Sequence, residues 1–544
     1  LVSCLTDGMD AGSAAAEALG FAQGSRAEPP ATAETPTAPL KALWRMPKHP
    51  HHRTKRFVDI QDDVTVEDLE LAHREGFVSV EHLKRYTTLG MGTDQGKTSN
   101  INGHALLAEM RGQDIPAVGT TTFRPPYTPV AMGAFVGRDV GRHSAATRRS
   151  AMHDWHAGHG ATFVEAGAWL RPQYYLQPGE TSGKHAMDTA ILREVHAVRH
   201  AVGLVDVSTL GKIDVQGPDA AEFLNRVYAN GFKTLPIGKA RYGLMLREDG
   251  LVDDDGTTSR LGEHHYVMTT TTAHAAKVLA DLEWYLDVIW PELDVHVASV
   301  TEHWATMALA GPKARQVLAE LVDEGLDLSN EALPFLGVRE GTVAGGVPAR
   351  IFRISYSGEL SYEIAVPADY GTHVWQTAYD AGQPHGLLPY GMEAMGILRI
   401  EKGHVTHAEL DGRTTLDDIG FGKFASTKKW FVGRGMLDKP AFTDPERPKL
   451  VGLKPVDGES RIRAGAILCE TRDPVVPAVK SGWVSSSAYL SPNVGHPIAL
   501  GFCARGRERI GERIWALFPL RSEAVECEIC EPCFIDPKGE RLHA

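Results

Sequence analysis

Between residues 130 and 440 short β-patterned runs, GKIDVQG, HYVMTTT and ARIFRISY, are mixed with amphipathic helical runs such as GPDAAEFLNRVYAN. The mixing lacks the regular strand–helix–strand rhythm of a parallel sheet. Runs of period two and period 3.6 interleaved in this way predict an α+β fold. From KLVGLKPVDG onward, short strands broken by Gly and Pro predict a small C-terminal β barrel or sandwich. At 544 residues the chain is longer than one hydrophobic core serves, so several domains are expected.

The N-terminal part differs in texture. LVSCLTDG reads as a short strand and AGSAAAEALGF as an Ala-rich helix, together the end of an α/β unit. Residues 23–50 are rich in Pro, Ala and Thr and read as a linker. A compact helical piece follows. Thr65 is placed to cap TVEDLELAHREGF with Asp68 at the capping-box position, and Gly76 closes that helix. The chain opens on Leu, without a basic stretch followed by an apolar one, so no signal peptide is expected and a truncated or processed product is.

Composition excludes some functions. The net charge of −13 shows no basic footprint for nucleic acid. No run of about 18 apolar residues predicts a membrane span. Six cysteines do not make a disulfide framework, which points to a reducing cytoplasm. Cys527, Cys530 and Cys533 have partial metal-ligand spacing but no matching fourth ligand, so no metal is assigned and they are read as small apolar residues.

Two stretches carry chemistry. EDGLVDDDG sets three aspartates behind an apolar pair, between RYGLML and the threonine-rich HYVMTTTT. Residues alone leave two readings: an exposed Asp/Gly hairpin turn, or a partly desolvated carboxylate that holds an amine or ring nitrogen. RYTTLGMGTDQGKTSN combines glycines, threonine hydroxyls and the cations Arg85 and Lys97, which suits a phosphate. It only partly matches a P-loop, and a plain Gly-rich connector is the other reading.

Several motifs, in order, resemble the aminomethyltransferase (glycine cleavage T-protein) family: GLVDVSTLGKIDVQGPDA, the RYGLML-to-DDDG block, RISYSGELSYEI and LRIEKG. The resemblance spans roughly residues 160–540. It implies a multi-domain ring that binds tetrahydrofolate and a C-terminal barrel. By position it implies Asp255 as the catalytic carboxylate, with Tyr242, Asp254, Thr271, Tyr356 and Glu363 lining the folate site. Met395 stands where the family has an arginine, and TTTT covers its usual asparagine; both departures bear on the ordinary lipoyl-protein reaction. The stretches KRFVDIQDDVTVEDLELAHREGFVSVEHLKRYTTLGMGTDQGKTSN and EKGHVTHAELDGRTTLDDIGFGKFASTKKWFVG resemble α subunits of heterotetrameric sarcosine oxidases.

That narrower resemblance implies a division into 1–45 (end of a dinucleotide-binding domain plus linker), 46–130 (small helical, flavin-interface domain), 131–440 (folate domain) and 441–544 (barrel). It implies FMN at a subunit interface, with Thr87, Thr88, Thr93, Gln95 and Lys97 as contributors. FAD is implied in a partner subunit, among β, γ and δ partners. NAD is implied only in a region with a GxGxxG loop that this chain does not contain. The reaction implied is capture on tetrahydrofolate of the carbon released by oxidative demethylation of sarcosine, giving 5,10-methylenetetrahydrofolate. The alternatives are a stand-alone folate-dependent aminomethyltransferase or demethylase, or a non-catalytic folate-binding scaffold. Lys402 and His404 in EKGH receive no role.

Overall fold

The computed structural model describes residues 2–21, 28, 41–51, 54–125, 127–128, 130–136 and 146–544. It divides into two compact units, Leu1–Ser144 and Ala145–Ala544. Most of the linker expected over 23–50 lies outside the described residues. No helix among those described is long and apolar enough to cross a membrane.

In the first unit the strand expected over LVSCLTDG is absent, because Val2–Ala18 is one helix. Alanines from Ala11 onward favour helix strongly enough to carry it through the Asp7–Gly8 punctuation. The compact part is a hairpin, Phe57–Asp59 with Val64–Thr65, followed by helices Val66–Arg74, Val80–Thr87 and Asn100–Arg111. Leu69, Leu83, Leu89, Leu106 and Leu107 form its core. The Thr65–Asp68 capping box forms as the sequence predicts: each side chain takes a backbone N–H of the other.

The second unit holds a two-stranded ladder, Ala161–Ala166 with Trp169–Tyr175, two larger sheets and a barrel. A five-stranded antiparallel sheet runs in the order His296–Ser299, Gly211–Gln216, His265–Thr270, Val252–Arg260, Lys239–Leu246. A six-stranded sheet runs Val338–Val343, Val347–Phe352, Ser361–Pro367, Trp304–Ala310, Val202–Asp206, Leu387–Pro389, with only the last pair parallel. Six further strands, the first Pro448–Pro455 and the last Glu523–Cys530, close into a barrel. This is the α+β architecture with a C-terminal barrel that the sequence predicts.

Buried charge ties these parts together. Arg199, on the helix Lys184–His200, donates from Nε to Glu401 at 2.8 Å and from Nη1 to Glu359 at 2.7 Å. Glu401, on the helix Met392–Lys402, also takes the amide of Asn493 at 2.9 Å. One salt-bridged cluster thus joins the six-stranded sheet's flank to the barrel.

The acidic triplet is not a turn. The turn is Arg247–Leu251, closed by Arg247 N–H to the Leu251 carbonyl at 2.9 Å, and Asp253, Asp254 and Asp255 lie in the strand that follows. Met245 pairs with Asp254 but Leu246 with Val252, so Asp253 is the extra residue of a β-bulge. The bulge sends three consecutive carboxylates to separate environments, which relieves their mutual repulsion.

Candidate functional site

Asp253 faces outward and binds Lys277 Nζ through both oxygens, at 2.9 and 2.8 Å. Asp254 is 1% exposed and accepts from Thr271, from its backbone N–H at 3.1 Å and from its hydroxyl. His274 Nδ1 stands 3.5 Å from the same carboxylate, whose charge raises the imidazole's pKa. Asp254 and Thr271 therefore occupy each other, and their geometry is that of a brace behind the site.

Asp255 is different. The Tyr242 hydroxyl donates to its Oδ2 at 2.7 Å, and no other side chain among the described residues donates to it. The pair is diagonal across the ladder, since Tyr242 sits opposite Thr257, two residues along on the face of Asp255. Burial pushes the Asp255 carboxyl up to about 6, Asp254 adds to the rise, and the Tyr242 hydrogen bond opposes it. Such a group changes protonation near neutrality, as a proton-transfer residue must.

Gly256 explains the end of the DDDG motif. A Cβ there would lie 2.0 Å from the Thr269 carbonyl oxygen of the neighbouring strand. That close approach brings the threonine strand against the site: Thr257 N–H donates to Thr269 Oγ1 at 3.0 Å, and the two hydroxyls meet at 3.1 Å.

Between the two sheets, Thr257, Thr269 and Lys212 on one side and Thr306, Phe352 and Glu363 on the other line a narrow cleft. Glu363 sits mid-strand, paired with Ala308 and Phe352, and its carboxylate accepts no hydrogen bond among the described residues. Burial raises it to about 7, against the pull of Lys212. Lys212 itself donates to the carbonyls of Ser208 and Leu210, at 2.7 and 3.2 Å, and burial lowers it to about 8.

Tyr356 shows 38% of its surface, yet its phenol is desolvated and held above its ordinary value, with Asp255 contributing. Its carbonyl accepts from His404 Nδ1 at 2.9 Å, and burial lowers that imidazole to about 4, so it stays neutral. Lys402 is paired with Asp536 at 3.2 Å. Met395 packs against the core.

Elsewhere in this unit lies a second group of buried polar residues that sequence reasoning missed. Tyr175 and His156 Nδ1 are 3.0 Å apart, and His156 Nε2 is 3.2 Å from Asp206. Ser208 N–H donates to Asp206 at 2.9 Å, and these contacts bring the carboxyl down to about 2 although burial alone raises it. Arg171 lies within reach of the Asp206 charge and of Tyr356. The available signal was a cation inside WLRPQYY, a strand whose residues are otherwise mostly apolar or aromatic.

In the first unit, the loop expected to cradle a phosphate is filled by its own side chains. Asp59 takes Gly90 N–H at 2.7 Å, and Asp94 takes the N–H groups of Gly96 and Thr98 at 3.0 and 3.1 Å. Thr87 donates to the Leu83 carbonyl, Thr88 to the Thr87 carbonyl and Thr93 to Gln61. Gln95 donates to the Gly92 carbonyl and Lys97 to the Tyr127 carbonyl. With Asp59 and Asp94 on the freed amides, this arrangement does not fit a phosphate.

No group of three or more His, Cys, Asp or Glu among the described residues is placed to hold a metal. Cys527 is buried in the barrel core while Cys530 is part-exposed, and burial pushes both thiols up to about 12.

Antiparallel sheets flanked by helices and followed by a closed barrel are the architecture this chain shares with aminomethyltransferases. The chain belongs to the glycine cleavage T-protein family. It matches the GCVT N-terminal domain over residues 152–429 and the glycine cleavage T-protein C-terminal barrel domain over 449–536. Residues 53–138 match the sarcosine oxidase A3 domain. It is 50% identical over 503 residues to the sarcosine oxidase subunit alpha of Rhizobium meliloti (strain 1021), covering 92% of this chain and 50% of that protein. The corresponding subunit of Corynebacterium sp. (strain P-1) is 43% identical, over 99% of this chain and 55% of its own length. The chain thus spans about half the length of these curated relatives. The aminomethyltransferase of Streptomyces coelicolor is 33% identical over 68% of this chain and 94% of its own length. The crystal structure of aminomethyltransferase T from Bartonella henselae superposes with a TM-score of 0.61 at 26% identity, covering 72% of this chain and 98% of that one.

Proposed function

We propose that the chain is the carbon-capturing part of a sarcosine oxidase α subunit, which gives 5,10-methylenetetrahydrofolate from the carbon released when sarcosine is demethylated. It works with β, γ and δ subunits in the cytoplasm, with oxidation at FAD in a partner. NAD, as an expectation from the resemblance, falls outside this chain. The observation that carries the reading is Asp255: one oxygen is held by Tyr242, no side chain among the described residues donates to the other, and burial raises the carboxyl to about 6.

The residues fit a tetrahydrofolate. Glu363, a mid-strand carboxylate with no hydrogen-bond donor on it among the described residues, matches the adjacent N–H donors of a pterin edge. When bound, tetrahydrofolate supplies two amine nitrogens: two C–N bonds to the carbon form, the C=N bond of the N-methylene amino acid breaks, and two protons end on the departing amine. Asp255 accepts and returns a proton in that exchange, and Tyr242 fixes which oxygen does so. Asp254, held by Thr271, keeps Asp255 from ionising too readily. The desolvated walls limit water that would hydrolyse the donor. FMN receives no step here, because the loop of Thr87–Lys97 does not fit its phosphate as arranged.

The test is Asp255→Ala in the assembled complex. Methylenetetrahydrofolate formation should fall by about two orders of magnitude, the usual worth of a general base, while amine oxidation continues and formaldehyde is released instead. Equal loss of both activities would sink the assignment. The relatedness to stand-alone aminomethyltransferases favours a second reading, transfer from a methylated donor without partners. Carbon transfer by the isolated chain would establish that one.

A further inference from the structure

A cavity of about 640 Å³ opens beside the helix Lys184–His200, and none of the residues lining it belongs to the five-stranded sheet that carries Asp255. Its size is that of a small-molecule site. Two carboxylates and one guanidinium lie in its wall, and they are not shared evenly. Arg193 gives itself to Glu180, from Nη1 at 2.9 Å and from Nη2 at 3.2 Å. Glu194, 1% exposed, takes only the N–H groups of Tyr175 and Gly391, at 2.7 and 2.9 Å, and no cation among the described residues forms a salt bridge with it. Those N–H groups favour its ionised form, while burial opposes it and raises the carboxyl to about 8. A carboxylate withdrawn from water ordinarily has a counter-ion. This one lines a cavity instead.

Much of the remaining wall is aromatic. Trp155 and His159 stack in parallel, 3.8 Å apart, and Tyr379 stands edge-on to both at 5.1 and 6.1 Å. Ring faces attract cations. His159 Nδ1 lies 2.7 Å from the Trp155 carbonyl, which can only accept, so Nδ1 carries a proton. The neutral ring therefore keeps Nε2 as an acceptor. Carboxylate, imidazole nitrogen and ring faces all suit one kind of guest, a cation that still has an N–H to give.

We propose that this cavity is a binding site for a small organic ammonium ion, paired with Glu194 and walled by His159 and Tyr379. The ammonium N–H makes a charge-assisted hydrogen bond to the carboxylate, and its alkyl groups lie against the rings. None of these residues is placed at the one-carbon site, so the inference is independent of the folate reading.

The test is a ligand-observed NMR titration of the full chain above pH 8, where the Glu194 carboxyl is ionised. The probes are trimethylammonium, tetramethylammonium and uncharged tert-butanol. Trimethylammonium should bind, tetramethylammonium about tenfold more weakly because it has no N–H, and tert-butanol not measurably. Gly158 lines the cavity, and a Cβ there meets nothing within 4 Å, so Gly158→Phe fills the space without straining the fold. That variant, and Glu194→Gln, should each lose at least about tenfold in trimethylammonium affinity. If Glu194→Gln unfolds, because an amide cannot take both N–H groups, Gly158→Phe still decides. A wild-type chain that binds no trimethylammonium, equal binding of all three probes, or unchanged affinity in a folded Gly158→Phe chain would each overturn the proposal.

Discussion

The Tyr242 hydroxyl donates to Asp255 Oδ2 at 2.7 Å from the adjacent strand, and that bond is what lowers a carboxyl otherwise driven upward by burial and by Asp254. Removing it has a calculable sign. In Tyr242→Phe the ionised form loses its donor, so the pKa of about 6 should rise, by roughly one unit for a bond worth about 1.4 kcal/mol. The acid limb of one-carbon capture should move to higher pH by that amount. An NMR titration of carboxyl-labelled aspartate reads the same shift without turnover. An unmoved or lowered pKa would mean that the bond does not govern Asp255.

Gly256 should be intolerant of a side chain. A methyl group 2.0 Å from the Thr269 carbonyl oxygen must push strand from strand, because the obstacle is backbone and not a flexible chain end. Gly256→Ala should cost about 1–3 kcal/mol by overpacking, measured by urea denaturation. It should also weaken folate binding, since Asp255 moves with the strand. Wild-type stability would show that the ladder yields there.

Much of this was readable from the sequence, for local reasons. GKIDVQG, HYVMTTT and GPDAAEFLNRVYAN became strand, strand and helix because each pattern has one strong period. Thr65 and Asp68 formed their box because capping is settled within four residues. Asp255 and Glu363 could be singled out only through motif order, and their desolvation depends on chain packed from far along the sequence. The triplet looked like a turn because Asp and Gly dominate turns, while the bulge at Asp253 follows from its partner strand. Arg171 gave almost no signal, since only the folded chain buries it.

The Arg199–Glu401 pair should be worth far more broken than its exposed counterparts. Arg199 is held by Glu401, Glu359 and the Ser357 and Leu398 carbonyls, all away from water. Glu401→Ala leaves the guanidinium buried and under-compensated, which costs about 3–5 kcal/mol for a pair of this kind. By contrast Lys55→Ala, which removes an exposed pair with Asp63, should leave the denaturant midpoint essentially unmoved. Denaturant midpoints of the two variants make the comparison; equal effects would refute the buried network's role.

Glu363 should carry a cost in stability that its function requires. Its folded pKa of about 7 lies above the ordinary carboxylate value, so the folded state binds the proton more tightly than the unfolded chain. The sign follows: the penalty is full above about pH 7 and fades as pH falls toward the unfolded value near 4. Glu363→Gln removes the ionisation and should stabilise the protein at pH 8 by roughly 1–3 kcal/mol, with no gain at pH 4. The same change replaces one acceptor of the pterin edge by a donor, so tetrahydrofolate affinity should fall at least about tenfold. Thermal melts at the two pH values and a folate titration test both halves. A variant stabilised equally at pH 4 and pH 8 would show that packing, and not the buried charge, makes the difference.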